Sequence, residues 1–411
     1  MIHALKPVFA LMLAAAIFLM GNGLQTTLVP LAAGLNGVGE LRVGMIGSLY
    51  FIGFAAGCLS GSALLARTGH PRAYAAMTAL AGAAAVLYTS APDPFFWAGL
   101  RMATGFAFAI LYMVIESWLN EVATNKNRGT IFATYTFMNL TFVTLGQSMI
   151  ILADPTAPVL FAVNAVLIIL AAIPVLLSNA PAPAPIKASP IRLGVVFRAA
   201  PAGVLGGLAV GLGNGAFWSL APNYSLQMGL DVDGIALFMA IGVLAGAAGQ
   251  IPLGRLSDLS DRRRIIAGAA TAAALAALYL GLFVGVGPTS MTGIMAGICV
   301  FGFFAFPVYA LSVAHVNDRV EGGGFVEAAG AMLLLYAGGA VVGPILAATA
   351  MKYFGATVLF QYIAAVYGLL VLGLLARIGS RRAAPEGERE AFVAVPRPSP
   401  AAGMLDPRAE G

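Results

Sequence analysis

The chain has 411 residues, of which 60% are hydrophobic and only 9% are charged, and its formal net charge is +5. A soluble protein carries about 25% charged residues, so this composition excludes a soluble globular fold. The apolar runs are rich in Ala, Leu and Gly and do not alternate with polar residues. This pattern predicts membrane-spanning helices and argues against a membrane β-barrel.

Apolar runs between charged or turn residues predict the elements in chain order. A helix that crosses a bilayer needs about 20 apolar residues. Twelve such runs occur, at 7–31, 43–66, 73–91, 95–120, 129–152, 158–178, 200–222, 234–257, 264–287, 290–316, 324–350 and 355–377. The predicted fold class is therefore an all-α membrane protein with twelve transmembrane helices.

The basic residues predict the orientation of these helices. Nearly all of the 22 Lys and Arg residues fall on one side of the twelve-helix scheme, and the exceptions are Arg42, Lys352 and the intramembrane Arg101. Cytoplasmic loops carry the excess of Lys and Arg, so both termini are expected in the cytoplasm. The Arg-, Ala- and Gly-rich composition suggests a bacterial source, and hence an inner-membrane protein. Because topology explains the positive charge, no nucleic-acid partner is expected.

The chain is internally repeated. GNG occurs at 21–23 and 213–215, and GCLSGSALLARTGHPR at 57–72 aligns with GQIPLGRLSDLSDRRR at 249–264. A stiff Pro- and Ala-rich connector separates the halves. We predict a six-helix bundle at 1–178, a cytoplasmic linker at 179–199, a second, pseudo-symmetric six-helix bundle at 200–378 and a disordered cytoplasmic tail at 379–411. In one class of secondary transporters with such parallel repeats, the substrate binds near the midplane between the halves.

The repeated asparagines are the first candidate binding residues. If the halves are related by an axis along the membrane normal, Asn22 and Asn214 face one shared cavity. The glycines beside them allow helices to approach closely. The alternative is that each asparagine only bonds a neighbouring helix.

Several motifs resemble those of the major facilitator superfamily. GRLSDLSDRRR at 254–264 resembles the loop signature after the second and eighth helices, while RMATGFAFA at 101–109 and EVATNKNRG at 121–129 resemble signatures of the fourth helix. With YMVIESWLNE at 112–121 and AHVND at 314–318, the set resembles the YcaD-like branch. The resemblance extends over about residues 5–378 and implies two six-helix bundles around a cavity lined by helices 1, 4 and 7.

The same resemblance implies a gate on the cytoplasmic side. In the family a Gly, an Asp and a basic cluster close that side, but the first-half copy has Ala66 where the Asp belongs. The implied gating residues are Arg67, Arg72, Glu121, Arg128, Gly254, Asp258, Asp261, Arg262, Arg263 and Arg264. We expect Asp258 to stabilise the outward-open state by tying cytoplasmic helix ends together.

Arg101 is the main candidate for contact with a solute. It is the only basic residue within a predicted span, and a buried guanidinium needs polar partners. Gln25 and Trp218 are placed at a similar depth, and Tyr112 shares the face of Arg101, since the two differ by about 20° around the helix. The predicted substrate-binding residues are these four with Asn22, Asn214 and Tyr309. Alternatively, Arg101 joins helices 1 and 4 or tunes a proton step.

Glu116 is the candidate proton carrier, and its alternative role is an ion pair with Arg128 or the loop arginines. No nucleotide-binding loop occurs, and the three histidines lack ligand spacing, so no enzyme activity, cofactor or metal is predicted. The leading hypothesis is a monomeric secondary active transporter that moves a small organic solute by alternating access, coupled to protons. The rival is a membrane sensor or assembly factor that kept the fold and lost transport.

Overall fold

The computed structural model describes residues 8–124, 127–178, 183, 193–284, 291–320, 325–380 and 392, without the side chains of 128–129, 325–326 and 379–380. These residues form helices and short connections, with no strand among them. Most of the predicted linker at 179–199 and of the predicted tail at 379–411 lies outside the described residues. So does the side chain of Arg128.

Twelve helical elements follow one another along the described chain. The first half contains α1 (Phe9–Leu35), α2 (Glu40–Thr68), α3 (His70–Leu87), α4 (Pro94–Val122), α5 (Arg128–Ser148, continued by a 3-10 turn at Met149–Leu152) and α6 (Pro158–Leu170, continued by Ala172–Leu176). After a short helix at Leu193–Ala199, the second half contains α7 (Pro201–Gln227), α8 (Val232–Leu259), α9 (Arg262–Leu282), α10 (Met291–Ala305 and Pro307–Asn317), α11 (Phe325–Phe354) and α12 (Val358–Ser380).

Eleven of the described helices are long and apolar enough to cross a membrane. The all-helical membrane fold predicted from the sequence is therefore confirmed. Helix α3 is not among the eleven, because its first turn contains His70, Pro71 and Arg72 and lowers its hydropathy. The count of twelve spans thus stays a prediction at this one helix.

Short polar and glycine signals set several helix boundaries. The Asp93 carboxylate caps α4 by accepting the Phe96 amide at 2.7 Å, and Asp231 caps α8 by accepting the Gly234 amide at 2.9 Å. Side-chain caps of this kind satisfy amides that have no partner within the helix. Gly37 and Gly229 hold positive φ angles of 73° and 81° at the α1–α2 and α7–α8 connections. The two halves therefore turn in the same way at equivalent places.

The helix contacts repeat between the halves, which confirms two pseudo-symmetric bundles. Helix α1 packs on α5 as α7 packs on α11, α2 packs on α4 as α8 packs on α10, and α3 packs on α6 as α9 packs on α12. In the GNG segments, Gly23 lies against the backbone of Val143 and Gly215 against that of Ala340. Neither position has room for a methyl group, so glycine permits both close crossings.

The two bundles meet most tightly near the α1–α2 and α7–α8 connections, which we call the outer end. Helix α2 contacts α7 and α11, and α1 contacts α7. The outer seam consists of Gly34 against Asn223, Gly44 against Pro344 and Gly47 against Ser219. A hydrogen bond of 3.2 Å from the Gln227 amide to the Glu40 carboxylate crosses the same end. The outer end is therefore closed in this conformation.

The hydrogen bonding of helix α10 is interrupted after Phe306, which itself keeps helical φ and ψ angles of −70° and −33°. Pro307 starts the second piece, and its missing N–H removes the helical donor for the Phe303 carbonyl. Gly249 of α8 lies directly against that carbonyl. The break therefore lies where the backbones of α8 and α10 touch.

Candidate solute-binding cavity

A cavity of about 170 Å³ lies between the two bundles. Its lining comes from α1, α2, α4 and α5 of the first half and from α7, α8, α10 and α11 of the second. The lining residues are Asn22, Thr26, Tyr50, Phe51, Phe54, Arg101, Tyr112, Asn139, Leu140, Val143, Gln147, Asn214, Trp218, Ser219, Val243, Gly246, Ala247, Gln250, Phe306, Tyr309 and Tyr336. Six of the seven substrate-binding residues predicted from the sequence are in this set, and Gln25 is not.

Arg101 is the charged residue of the cavity lining. Only 5% of its surface is exposed, and its guanidinium carbon lies 4.4 Å from the centre of the Tyr50 ring. A cation over an aromatic face is attracted by the ring's quadrupole, which offsets part of the cost of burial. Arg101 also donates through Nη1 to the Gln25 carbonyl at 3.4 Å, while its buried Nε has no partner among the described atoms.

Gln25 lies behind Arg101 instead of on the cavity surface. Its amide nitrogen donates to Asn164 at 3.2 Å, and Asn164 donates in turn to the Gly21 carbonyl at 2.5 Å. These bonds fix Gln25 so that its carbonyl oxygen faces the guanidinium. Gln25 therefore lies behind the guanidinium and is not part of the cavity lining, and it forms the predicted contact with Arg101. Its role in solute binding stays a prediction.

The paired asparagines reach the same cavity, as the repeat predicted. Asn22 also donates a 2.6 Å hydrogen bond to the Tyr112 hydroxyl, so it bonds a neighbouring helix as well as lining the cavity. Asn214 is 6% exposed, and its side-chain oxygen has no partner among the described atoms. Polar atoms buried without a partner are rare in native proteins and call for an explanation.

Aromatic side chains form much of the wall on the second-half side. Trp218 and Phe306 stack with ring centroids 5.4 Å apart and planes inclined by 19°. Tyr309 and Tyr336 meet edge to face at 5.5 Å. Trp218 is only partly buried and lines the cavity, so it is not solely a core residue.

Sequence reasoning missed several lining residues. Gln147 is fully buried, and both atoms of its amide group lack partners among the described residues. Gln147 was not among the residues that the sequence analysis predicted for the cavity. Tyr50 and Tyr336 gave no signal, since aromatic residues in apolar helices also serve packing.

Glu116 lies one turn along α4 from Tyr112 but does not line the cavity. It is 1% exposed and accepts a hydrogen bond of 3.1 Å from the Tyr135 hydroxyl of α5. The alternative ion pair with Arg128 involves a side chain outside the described residues. The observed partner of Glu116 is therefore a phenol within the first bundle.

Four of the predicted second-half gating residues form one cluster at the end opposite the outer seam: Asp258, Asp261, Arg262 and Arg263. We call it the cytoplasmic cluster, after the side of the membrane on which the sequence predicts it. Arg262 pairs with Asp258 at 3.0 Å and with Asp318 at 2.6 Å. Asp318 belongs to the AHVND motif, and the sequence did not identify it as a partner. The two pairs join the ends of α8, α9 and α10.

Asp261 and Arg263 complete the cytoplasmic cluster. Arg263 binds Asp261 at 2.7 Å and donates to the Arg377 carbonyl at 3.0 Å. Partial burial alone would raise the pKa of Asp261, but the hydrogen bonds and charge of Arg263 outweigh burial and hold that pKa below its ordinary value. Asp261 also caps α9 through the Arg263 amide, so the cluster fixes where the helix begins.

The remaining predicted gating residues are not brought together. Arg67, Arg72, Glu121 and Arg264 are exposed and make no ion pair with a described residue. The exposed arginines of the first-half copy of the gate signature, Arg67 and Arg72, thus form no ion pair with a described residue in this conformation.

Phe392 of the tail lies on the cytoplasmic cluster. Its ring packs against Gly254 and Ala310, and its amide donates to the Asp258 carboxylate at 3.1 Å. The absence of a side chain at Gly254 makes room for this ring.

Comparison with known proteins agrees with the geometry. A family model described as Major Facilitator Superfamily matches residues 11–231 and 203–405. The chain is 28% identical to an uncharacterized MFS-type transporter of Enterobacter sp. (strain 638), over 91% of this chain and 96% of the relative. It is 26% identical to the uncharacterized MFS-type transporter YcaD of Escherichia fergusonii, over 90% of this chain and 95% of the relative.

Solved structures share the fold at low identity. A point mutant of the nucleoside transporter NupG superposes with a TM-score of 0.78 at 12% identity, covering 90% of this chain and 100% of that one. A D-xylose–proton symporter gives 0.67 at 13% identity, covering 93% and 99%.

Proposed function

Because the chain belongs to the Major Facilitator Superfamily, we propose that it is a secondary active transporter that carries a small organic solute across a bacterial inner membrane by alternating access. The observation that carries this proposal is the cavity shared by the two bundles. Both halves contribute polar side chains to it, with Asn22 and Asn214 at equivalent positions. In parallel-repeat transporters the substrate site lies at this junction.

Alternating access requires the outer seam to open while the cytoplasmic ends of the bundles approach each other. Each contact of the seam has a glycine on one side, so few interlocking side chains and one hydrogen bond, from Gln227 to Glu40, must separate when it opens. Arg67, Arg72 and Glu121 are exposed at the opposite end and available for contacts when that end closes. The cytoplasmic cluster keeps the ends of α8, α9 and α10 together as one moving part. In this proposal Asp258 contributes to the closed cytoplasmic gate.

Proton coupling is assigned to Glu116. A carboxylate buried in a membrane helix is costly and usually functional. Glu116 accepts a hydrogen bond from the Tyr135 hydroxyl, and Tyr112, one turn away on α4, accepts one from Asn22 in the cavity lining. The D-xylose–proton symporter has the same fold, so this architecture is compatible with coupling to protons.

The proposal includes the orientation of the protein in the membrane and its oligomeric state. We place both termini in the cytoplasm because the basic loops lie on that side. Each chain contains a complete cavity, so a monomer suffices for transport.

Reconstitution into liposomes tests the proposal. The purified protein should exchange a labelled solute, chosen by thermal stabilisation in a metabolite extract, and accumulate it under a pH gradient. Glu116→Gln should keep the exchange and lose the pH-driven accumulation, whereas Asp154→Asn, in an exposed loop, should keep both. A chain that no solute stabilises and that moves nothing under a pH gradient would favour the sensor.

A further inference from the structure

The cavity lining combines a buried positive charge with several aromatic rings, and alternating access alone requires neither. We propose that it selects small aromatic carboxylates with a single ring. This inference rests on the proposed transport function, and three independent features of the cavity support it.

The first feature is an uncompensated positive charge. Arg101 is the charged group of the lining, and it makes no ion pair with a described residue. Gln25 occupies only Nη1, and the buried Nε is without a partner among the described atoms. A buried charge is costly without a counter-charge, and a carboxylate matches the fork of a guanidinium with two parallel hydrogen bonds. A neutral solute would leave this charge unbalanced.

The second feature is the arrangement of aromatic walls. The stacked rings of Trp218 and Phe306 and the edge-to-face pair of Tyr309 and Tyr336 all belong to residues that line the cavity. Phe51 extends the wall, with its ring 6.3 Å from that of Tyr336. Rings favour offset stacked and edge-to-face contacts with other rings, so a planar aromatic group fits these surfaces.

The third feature is size. A cavity of about 150 Å³ in a well-studied lysozyme variant holds one benzene molecule. The present cavity of about 170 Å³ therefore has room for one six-membered ring and a small charged group.

Polar atoms away from Arg101 indicate what else the ring can carry. The Gln147 amide group and the Asn214 oxygen are buried and unpartnered among the described residues. A hydroxyl group on the ring can donate to one of these oxygens and accept from the Gln147 nitrogen. We therefore choose 4-hydroxybenzoate as the probe.

Isothermal titration calorimetry of the purified full chain tests the inference with matched compounds. 4-Hydroxybenzyl alcohol keeps the ring and lacks the charge, and 4-hydroxycyclohexanecarboxylate keeps the charge and lacks the aromatic ring. We expect 4-hydroxybenzoate to bind about 10- to 100-fold more tightly than either, since a hydrogen-bonded charge or a stacked ring each contributes on that scale.

Variants assign the two effects to residues. Arg101→Gln should remove the preference for 4-hydroxybenzoate over the alcohol, and Arg101→Lys should restore only part of it because a lysine lacks the planar fork. Trp218→Ala should remove the preference over the cyclohexane compound. The controls are Arg42→Gln and Phe95→Ala, which alter exposed residues outside the cavity. Retained binding of the alcohol by Arg101→Gln shows that this variant is folded.

The outcomes separate the substrate class from transport itself. Equal affinity of wild type and Arg101→Gln for 4-hydroxybenzoate overturns the substrate class. Binding and liposome exchange of a neutral solute such as uridine, with no binding of 4-hydroxybenzoate, also overturns the class and leaves transport standing. If no compound of the set and no fraction of a metabolite extract binds or exchanges, the transport function fails as well.

Discussion

Gly47 offers the sharpest test of the outer seam as a moving contact. A methyl group at this position would overlap both Oγ and Cβ of Ser219, where an ordinary contact requires about 3.4 Å. Extra atoms in a tightly packed contact cost about 1–3 kcal/mol. That cost falls only on the state in which the seam is closed, so Gly47→Ala should shift the equilibrium toward the outer-open state by roughly 5- to 150-fold.

The matched control is Gly99→Ala. Gly99 is also within a helix, and a methyl group there would meet no atom within 4 Å. This change should leave the equilibrium unaltered and stabilise the helix slightly, since alanine favours a helix over glycine by about 1 kcal/mol.

Pulsed electron–electron double resonance measures the shift in this equilibrium. Spin labels at Gly39 and Asp233, both exposed at the outer end, report the distance between the bundles once Cys58 and Cys299 have been replaced. Gly47→Ala should add a longer distance, and Ser219→Gly in the same chain should restore the wild-type distribution. Distributions that match in Gly47→Ala, Gly99→Ala and wild type would refute the seam as the contact that sets the equilibrium.

Three further predictions concern topology and the cytoplasmic cluster. A cysteine at Asp231 should be labelled from outside intact cells and one at Ala188 should not; the reverse pattern contradicts the topology. Arg262→Ala should lower stability by about 3–5 kcal/mol, because it removes the Arg262 counter-charge from the buried Asp318 carboxylate. The exposed Arg264→Ala should change stability by less than about 0.5 kcal/mol. Thermal unfolding in detergent compares the two variants, and equal losses contradict the assignment. Phe392→Ala should speed amide hydrogen exchange at the cytoplasmic end of α8, and unchanged exchange would show that the tail does not rest there in solution.

The sequence predicted part of the polar lining and part of the aromatic lining of the cavity. Arg101 and the paired asparagines stood out because polar groups in membrane helices are expensive and therefore rare. Tyr50 and Tyr336 were not predicted, since an aromatic residue in an apolar helix can contact lipid, another helix or a solute, and the sequence does not distinguish these surroundings. The direction in which a side chain points around the helix axis depends on packing. The sequence therefore placed Gln25 at the depth of Arg101 but did not show that it lies behind the guanidinium, outside the cavity lining.

Helix ends and ion-pair partners depended on information that hydropathy does not contain. The first predicted span ended at residue 31, just after Pro30, whereas α1 contains Pro30 and continues to Leu35. Hydropathy does not show whether a helix continues past a proline. The partner of Arg262 was hidden for a related reason. Asp318 is far from Arg262 in sequence, and only the packing of α9 beside α10 brings them to 2.6 Å.

The break in α10 makes its inner piece a short lever. Pro307–Asn317 carries Tyr309 in the cavity wall near one end, and at the other end it leads directly into Asp318, which Arg262 holds. Tyr309 and Asp318 are nine residues apart, which corresponds to about 13 Å along a helix. A small tilt of this piece about Phe306 therefore moves the Tyr309 ring and, in proportion, the Asp318 end of the Arg262–Asp318 ion pair. A solute pressing on Tyr309 would thereby strain the Arg262–Asp318 contact without any change in α8 or α9, and that contact would sense occupancy of a cavity it does not touch.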